Sequence, residues 1–233
     1  MDLLSPLEWS IVALSLKVST VAIGVVLPLA FAFAWLLERT RLPGKVLIDA
    51  VVHLPLVLPP VVTGWVLLLL FGGNGPAGRF LADTLGVTFM FRWTGAALAA
   101  AVMALPLMVR AIRLSLSGVD RRLEIAARTL GAGPWRTFAS ITLPLAMPGV
   151  LAAMVLGFAR SIGEFGATIT FVSNVPGETR TLPLAIYTAL QVPGGETIVT
   201  RLALVSVTLS LAALVASEWL VRRGRKGGGG HVL

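Results

Sequence analysis

The chain of 233 residues contains no cysteine and few charged residues, and both absences restrict what it can be. Without cysteine it has no disulfide framework, thiolate metal site or cysteine nucleophile. Charged residues make up 13% of the sequence, against about 25% in a typical soluble domain, whereas hydrophobic residues make up 56%. So little charge cannot cover the surface of a water-soluble protein of this size. The composition therefore predicts a membrane protein.

Histidine is almost as scarce, because His53 and His231 are the only two in the sequence. Neither has a second histidine, a cysteine or an acidic cluster beside it, so we expect no metal site and no catalytic residues. A membrane-embedded hydrolase or transferase would need such a constellation. The sequence therefore favours a non-catalytic protein that binds no cofactor itself. The net charge of +8 could suggest a nucleic-acid partner, but in a membrane protein the placement of the basic residues matters more than their sum. We therefore expect no nucleic-acid partner.

Long apolar segments dominate what is present. About 20 residues cross the hydrocarbon core of a bilayer, and five stretches qualify: Val18 to Leu37, Ala50 to Phe71, Trp93 to Val109, a long or bent span from Thr137 to Val172, and Leu202 to Val221. The 24 glycines and 14 prolines are compatible with helices in lipid. We predict an all-α polytopic bundle of about five transmembrane helices. The sequence leaves open a sixth span or a re-entrant segment.

The basic residues alternate between the two sides of these spans. One side receives 13 of the 19, namely Arg39, Arg41, Lys45, Arg110, Arg113, Arg121, Arg122, Arg128, Arg136, Arg222, Arg223, Arg225 and Lys226. The positive-inside rule places that side in the cytoplasm. We therefore predict an external N-terminus, a cytoplasmic C-terminus, and a flexible glycine-rich tail at 227–233.

The basic connection between the third and fourth spans has its own pattern. Residues from Asp120 to Leu130 place Leu123, Ala126, Ala127 and Leu130 on one face of an amphipathic helix. Gly131 and Gly133 end this helix, and Pro134 suits the first turn of a second short helix. We expect Leu143 and Pro144 to end the second helix before the membrane. The loop at 118–144 is therefore predicted to form a cytoplasmic helix pair.

This loop resembles the EAA loop of permease subunits of ABC importers, E-x-A-A-x-x-x-G followed by I-x-L-P. The matching residues are Glu124, Ala126, Ala127, Gly131, Ile141, Leu143 and Pro144. The resemblance implies that they couple the membrane helices to a separate ATP-binding subunit. A rigid projecting helix is what such a motor needs to push against. An interfacial amphipathic helix without that role is the alternative.

Further segments resemble the permease subunits of molybdate ABC transporters. They are HLPLVLPP at 53–60, ARSIGEFGAT at 159–168 and FVSN followed by PGETRT at 171–181. Sulfate permeases share the second segment, while the third is similar to the molybdate branch. The resemblance implies one permease domain at 1–226 that imports molybdate, with tungstate transport expected and sulfate as the nearest alternative. A secondary transporter would be expected to carry more spans and a relay carboxylate.

The same resemblance implies partners and a location. The permease would form a homodimer in the bacterial inner membrane, with two ATP-binding subunits inside and an oxyanion-binding protein outside. ATP would be used by the partner subunit, and the lipid bilayer would surround the spans.

Arg160 and Glu164 are the charged pair well inside a predicted span, at i and i+4 of one helix. Charge at membrane depth usually faces a bundle interior or water. We consider a translocation pathway or gate formed by Arg160, Ser161, Glu164, Phe165 and Thr168, and as the alternative an ion pair that only fixes the helix. For Ser161 and Thr168, the alternative is hydrogen bonding to carbonyls of their own helix.

Overall fold

Residues 4–227 are described by the computed structural model, and within this range the chain is helical without a β-strand. The longest helices are α1 (Pro6–Arg39), α5 (Trp93–Ser117), α8 (Leu143–Ile162) and α11 (Glu196–Gly227). The shorter ones are α2 (Lys45–Val57), α3 (Pro60–Phe71), α4 (Pro76–Leu85), α6 (Arg121–Thr129), α7 (Pro134–Thr137), α9 (Gly166–Val172) and α10 (Leu182–Leu190). A π-helical segment, Phe138–Thr142, joins α7 to α8. The predicted all-α fold is confirmed.

Helix α1 is longer than the bilayer is thick. It begins with a capping box in which Ser5 Oγ accepts the Glu8 N–H and the Glu8 carboxylate accepts the Ser5 N–H. Its 34 residues rise about 51 Å, against about 30 Å of hydrocarbon. The helix therefore crosses the membrane and extends beyond it, with Arg39 in its last turn.

Helix α5 occupies the centre of the bundle and packs against α1, α8 and α9. Its buried residues are mostly small, among them Ala96, Ala99, Ala100 and Ala104. Small residues let transmembrane helices approach closely, since lipid supplies no hydrophobic drive between them. A methyl group at Gly157 of α8 would lie 2.6 Å from the Met108 sulfur of α5. The core is therefore defined by close backbone approach.

The second predicted span is broken. Helices α2 and α3 are bent by 117° at Leu58 and Pro59, where a proline ring cannot continue the helical hydrogen bonds. Asp49 of α2 pairs with Arg113 near the end of α5 at 3.2 Å. At the other end, the Phe71 ring packs edge-on against Phe89, which precedes α5. The bent pair thus connects the two ends of the bundle. The described residues contain four candidate spans, or the predicted five if the bent pair is one span rather than a re-entrant segment.

We call the end of the bundle that carries Arg39, Arg113 and α6 the basic end, and the other the opposite end. At the opposite end the connections between the long helices contain helices α4 and α10. Helix α10 packs against α1 and α11, and its Leu182 N–H donates to Ser15 Oγ of α1 at 2.7 Å. Arg201 of α11 pairs with Glu8 of α1 at 2.9 Å, which joins the other two helices. Leu182, Leu184 and Ala185 of α10 are buried apolar residues, so this connection is part of the packed bundle.

The predicted flexible tail at 227–233 begins at Gly227, the last described residue of α11. Residues 228–233 lie outside the described range.

Candidate coupling loop and pathway residues

Helix α6 projects from the basic end. Asp120 caps it by accepting the Arg122 N–H at 2.8 Å. None of the described residues of α6 is buried. Leu123 is 48% exposed, and Leu130 just beyond the helix is 89% exposed. The predicted stripe of Leu123, Ala126, Ala127 and Leu130 therefore lies on a surface that this chain leaves largely uncovered.

Gly131 ends α6 in a left-handed conformation, with a φ of 87°. The Ala132 N–H donates to the Ala127 carbonyl oxygen and the Gly131 N–H donates to that of Arg128. This is the Schellman arrangement, in which the residue after the cap needs a positive φ. The backbone conformation at the end of α6 therefore explains why a glycine follows Ala127 at the fourth position.

Glu124 joins three elements at the basic end. Its Oε1 accepts the Thr142 hydroxyl of the π segment at 2.6 Å and lies 3.3 Å from Arg39 Nη2 of α1. Arg39 Nη2 also donates to the Leu116 carbonyl of α5 at 3.1 Å. The side chains of Arg39 and Glu124 are 8% and 15% exposed. The carboxylate therefore fixes α6 to its own chain, and the coupling role of Glu124 stays a prediction.

The two faces of α6 consequently differ. Glu124 shares its face with Arg121, Ile125 and Arg128, which all line a cavity towards α1 and the π segment. Each residue advances 100° around an α-helix, so Leu123 lies about 150° from the mean direction of these four residues. Ala127 lies about 110° from that direction, at the edge between the two faces, and is half-buried. One face holds the helix in place and the other is free to contact another subunit.

The second half of the loop does not end where the sequence pattern predicts. The helix that starts at Pro134 continues to Ile162, so Leu143 and Pro144 lie inside it. The Leu143 N–H donates to the Phe138 carbonyl, five residues back, which is the π-helical bond. Proline has no N–H to donate, and this wider turn precedes Pro144. Ile141 and Leu143 are half-buried, whereas Pro144 is exposed.

Arg160 and Glu164 form an ion pair at 2.6 Å. Helix α8 ends at Ile162, so the prediction that both residues lie on one helix is wrong for Glu164. Glu164 Oε1 accepts the Ala167 N–H at 2.9 Å at the start of α9. Its side chain is 2% exposed, against 29% for Arg160. The buried carboxylate therefore fixes the break between α8 and α9.

The other pathway candidates surround this break. Ser161 and Thr168 are buried, and the half-buried Phe165 ring lies 5.1 Å from that of Tyr187 in α10. Ser161 Oγ has no hydrogen-bond partner among the described residues, so a bond to its own helix is not formed. The five candidates are thus brought together at the α8–α9 junction.

Sequence reasoning missed Arg39 and Thr142 as partners of Glu124. They lie 85 and 18 residues from it along the chain, and no local pattern connects them. Only their positions in the sequence could have suggested these partners. Arg39 lies in a basic connection, and Thr142 lies between Ile141 and Leu143 of the EAA-loop pattern.

Comparison with known proteins places this architecture in one family. Residues 24–226 match the model of the binding-protein-dependent transport system inner membrane component. The chain belongs to this family. It is therefore a multi-pass inner-membrane protein, in agreement with its candidate spans.

Individual relatives indicate which branch of the family this chain resembles. The chain is 60% identical over 222 residues to the molybdenum transport system permease protein ModB of Escherichia coli (strain K12), covering 95% of this chain and 97% of ModB. The sulfate transport system permease protein CysT of the same organism is 37% identical over 183 residues, covering 78% and 65%. The predicted resemblance to molybdate permeases is confirmed.

A solved bacterial ABC transporter involved in the import of the polysaccharide alginate has the same fold. The TM-score is 0.73 at 17% sequence identity, covering 94% of this chain and 80% of the other. At that identity the likeness concerns the fold alone.

Proposed function

We propose that the chain is the permease subunit of an ABC importer for molybdate. The main support for this proposal is 60% identity with a molybdenum permease along almost the whole of both chains. The sulfate permease is a second candidate for substrate class, but its match is weaker and covers only part of that protein. Both substrates are tetrahedral dianions, so competition between them is the useful measurement.

The test is uptake of radiolabelled molybdate by cells that lack their own permease and express this chain with its transport partners. We expect unlabelled molybdate and tungstate to suppress this uptake. Sulfate at the same concentration should leave it nearly unchanged. Stronger suppression by sulfate than by tungstate would assign the chain to the sulfate branch.

The coupling role is proposed for the loop at 118–144. Its outer face, with exposed Leu123 and Ala126 and half-buried Ala127, offers an apolar contact of the kind that a groove in an ATP-binding subunit could accept. Glu124, Ile141, Leu143 and Pro144 would act behind that face by connecting α6 to the long helix that begins at Pro134. ATP hydrolysis would then occur in the partner, consistent with a permease that has no catalytic role.

The proposed assembly has two copies of the chain, two ATP-binding subunits and an external oxyanion-binding protein. Apolar side chains of α2 and α3 are exposed on the described surface, including Val46, Val57 and Trp65 at 83%, 80% and 53%. Lipid or a second copy must cover them. Selectivity would rest mainly with the external protein, because conduction requires weak sites along the route.

We propose that the basic end faces the cytoplasm and that residues 1–226 act as one permease domain. Reporter fusions should place Gly44 and Gly131 inside and Gly75 and Gly194 outside. This orientation places Gly44 and the end of α11 both in the cytoplasm, with four crossings between them. An odd number of crossings between those two points would contradict it. A reporter at Gly75 on the same side as Gly44 is the clearest contrary result.

The α8–α9 junction is proposed as part of the translocation pathway or its gate. Arg160 is partly exposed next to buried Ser161 and Glu164, so an oxyanion could meet one guanidinium there without being held tightly. The contacts of Glu164 also support a purely structural role, and the substitutions in the Discussion separate the two.

A further inference from the structure

Two cavities adjoin at the basic end, where the last turns of α1 face α6, α7 and the π segment. The first has a volume of about 360 Å³ and includes charged side chains in its lining. The second, of about 500 Å³, is lined mainly by apolar and aromatic side chains. Trp35, Pro134 and Phe138 line both. The two cavities therefore form one site with a charged part and an apolar part.

The charged part is positive. Arg39, Arg121 and Arg128 line it together with one acidic residue, Glu124. Because Glu124 neutralises a single arginine, two positive charges remain in excess. A cavity of this size with that excess suits a phosphate-sized anion.

Arg39 gives an independent indication that an acceptor belongs here. Its side chain is 8% exposed, and its Nη atoms bond to Glu124 and to the Leu116 carbonyl. Its buried Nε, however, has no hydrogen-bond partner among the described residues. Buried donors of a charged group are costly when unpaired. The guanidinium of Arg39, a residue that lines the cavity, is therefore incompletely satisfied by this chain, which favours an anionic occupant beside it.

A small soluble anion would leave the apolar part unfilled. It extends along α1 from Thr40 to Phe31, about 13 Å of helix. Phe31, Ala32 and Leu36 belong to the charge-free segment of α1 that lies at membrane depth. The Trp35 and Trp135 rings contact Phe138 at 5.2 and 5.7 Å and form its wall. An occupant that fills both parts needs an anionic head and an alkyl chain.

We propose that these cavities bind an anionic phospholipid of the surrounding bilayer, with its phosphate beside Arg39, Arg121 and Arg128 and one acyl chain along α1. Basic pockets between transmembrane helices are suited to such headgroups. The site uses the face of α6 that carries Arg121 and Arg128, so the lipid leaves Leu123 and Ala127 free. The proposal does not depend on the transported substrate.

The test is lipid retention by the full-length chain, purified in detergent and stripped of lipid, measured by native mass spectrometry. The probes are phosphatidylglycerol and phosphatidylcholine with identical acyl chains. Each basic residue contributes about a fivefold factor near an anionic lipid, so the two excess charges predict a preference for phosphatidylglycerol of about 25-fold. The variant Arg121→Gln/Arg128→Gln should lose most of this preference.

The matched control is Arg122→Gln/Arg136→Gln, which removes the same charge from the same loop. Arg122 and Arg136 are exposed and line neither cavity, so the preference should remain. In a second variant, Ala32→Trp, the larger side chain fills the apolar part without changing a charge. It should weaken retention of both lipids several-fold.

Three results would overturn the proposal. Equal retention of both lipids by the wild type would remove the anionic site. If the control variant lost the preference for phosphatidylglycerol to the same extent, that preference would be a general effect of surface charge. Displacement of phosphatidylglycerol by excess inorganic phosphate, together with unchanged retention by Ala32→Trp, would make the occupant a soluble anion rather than a lipid.

Discussion

Two glutamates connect helices at different places in this molecule, and they do so in opposite ways. Glu164 is 2% exposed and bonds within its own stretch of chain, to Arg160 and to the Ala167 N–H. Glu124 is 15% exposed and bonds to Arg39 and Thr142, which belong to other elements. The first fixes a local break in the membrane, and the second holds a projecting helix against the bundle. Loss of Arg160, the partner of Glu164, should therefore lower the stability of the protein. Loss of the Glu124 contacts should instead weaken coupling to ATP hydrolysis.

The largest effect is expected from Arg160→Ala. Removing one member of a buried ion pair costs about 3 kcal/mol or more because the remaining charge is left unpaired. Glu164 would keep only its bond to the Ala167 N–H. We expect a lower amount of protein in the membrane and a lower unfolding temperature, measured by immunoblot and by thermal unfolding in detergent.

The double variant Arg160→Gln/Glu164→Gln makes this test sharper. Glutamine keeps an oxygen that can accept the Ala167 N–H, and no charge remains buried, so part of the lost stability should return. Arg136→Ala, an exposed arginine of the basic end, serves as the control and should behave as wild type. Normal protein levels with slow uptake in Arg160→Ala would instead assign the pair to the translocation pathway.

The same contrast explains what the sequence could predict. Hydropathy identified the spans, and the glycine and alanine spacing identified α6 and its end, because these signals are local. The Arg39–Glu124 pair spans 85 residues and depends on how α1 and α5 pack. The break after Ile162 was missed because Arg160 and Glu164 have helical spacing whether or not the helix continues. The π turn was missed because it has no sequence pattern of its own.

The next effect in size is expected from Glu124→Gln. It leaves Arg39, whose side chain is 8% exposed, without a neutralising charge, and weakens the bond from Thr142. Hydrogen bonds to charged groups contribute about 2 kcal/mol, so docking of α6 should weaken by more than tenfold. The protein should still insert, whereas stimulation of ATP hydrolysis by loaded binding protein should fall in the reconstituted complex.

Asp120→Asn is the matched control for Glu124→Gln. It removes one negative charge from the same loop but keeps the side-chain oxygen that caps α6, and asparagine is as good a cap as aspartate. Full stimulation is expected. If both variants retained wild-type stimulation, the Glu124 contacts would have no part in coupling.

The smallest effect of the three is expected from Gly131→Val, since it changes only the direction in which the chain leaves α6. A residue with a side chain costs about 1–2 kcal/mol in the left-handed region, and the φ of Gly131 is 87°. We expect normal insertion with weaker ATPase stimulation. Gly133→Val is the control, because Gly133 has a φ of −66° and an added methyl there meets no described atom within 4 Å. Ala127→Arg, at a half-buried position beside the exposed Leu123 and Ala126, should lower binding of the ATP-binding subunit without altering the turn. Equal activity of Gly131→Val and Gly133→Val would show that the loop tolerates a changed exit direction, and the coupling contact would then have to lie elsewhere on the basic end.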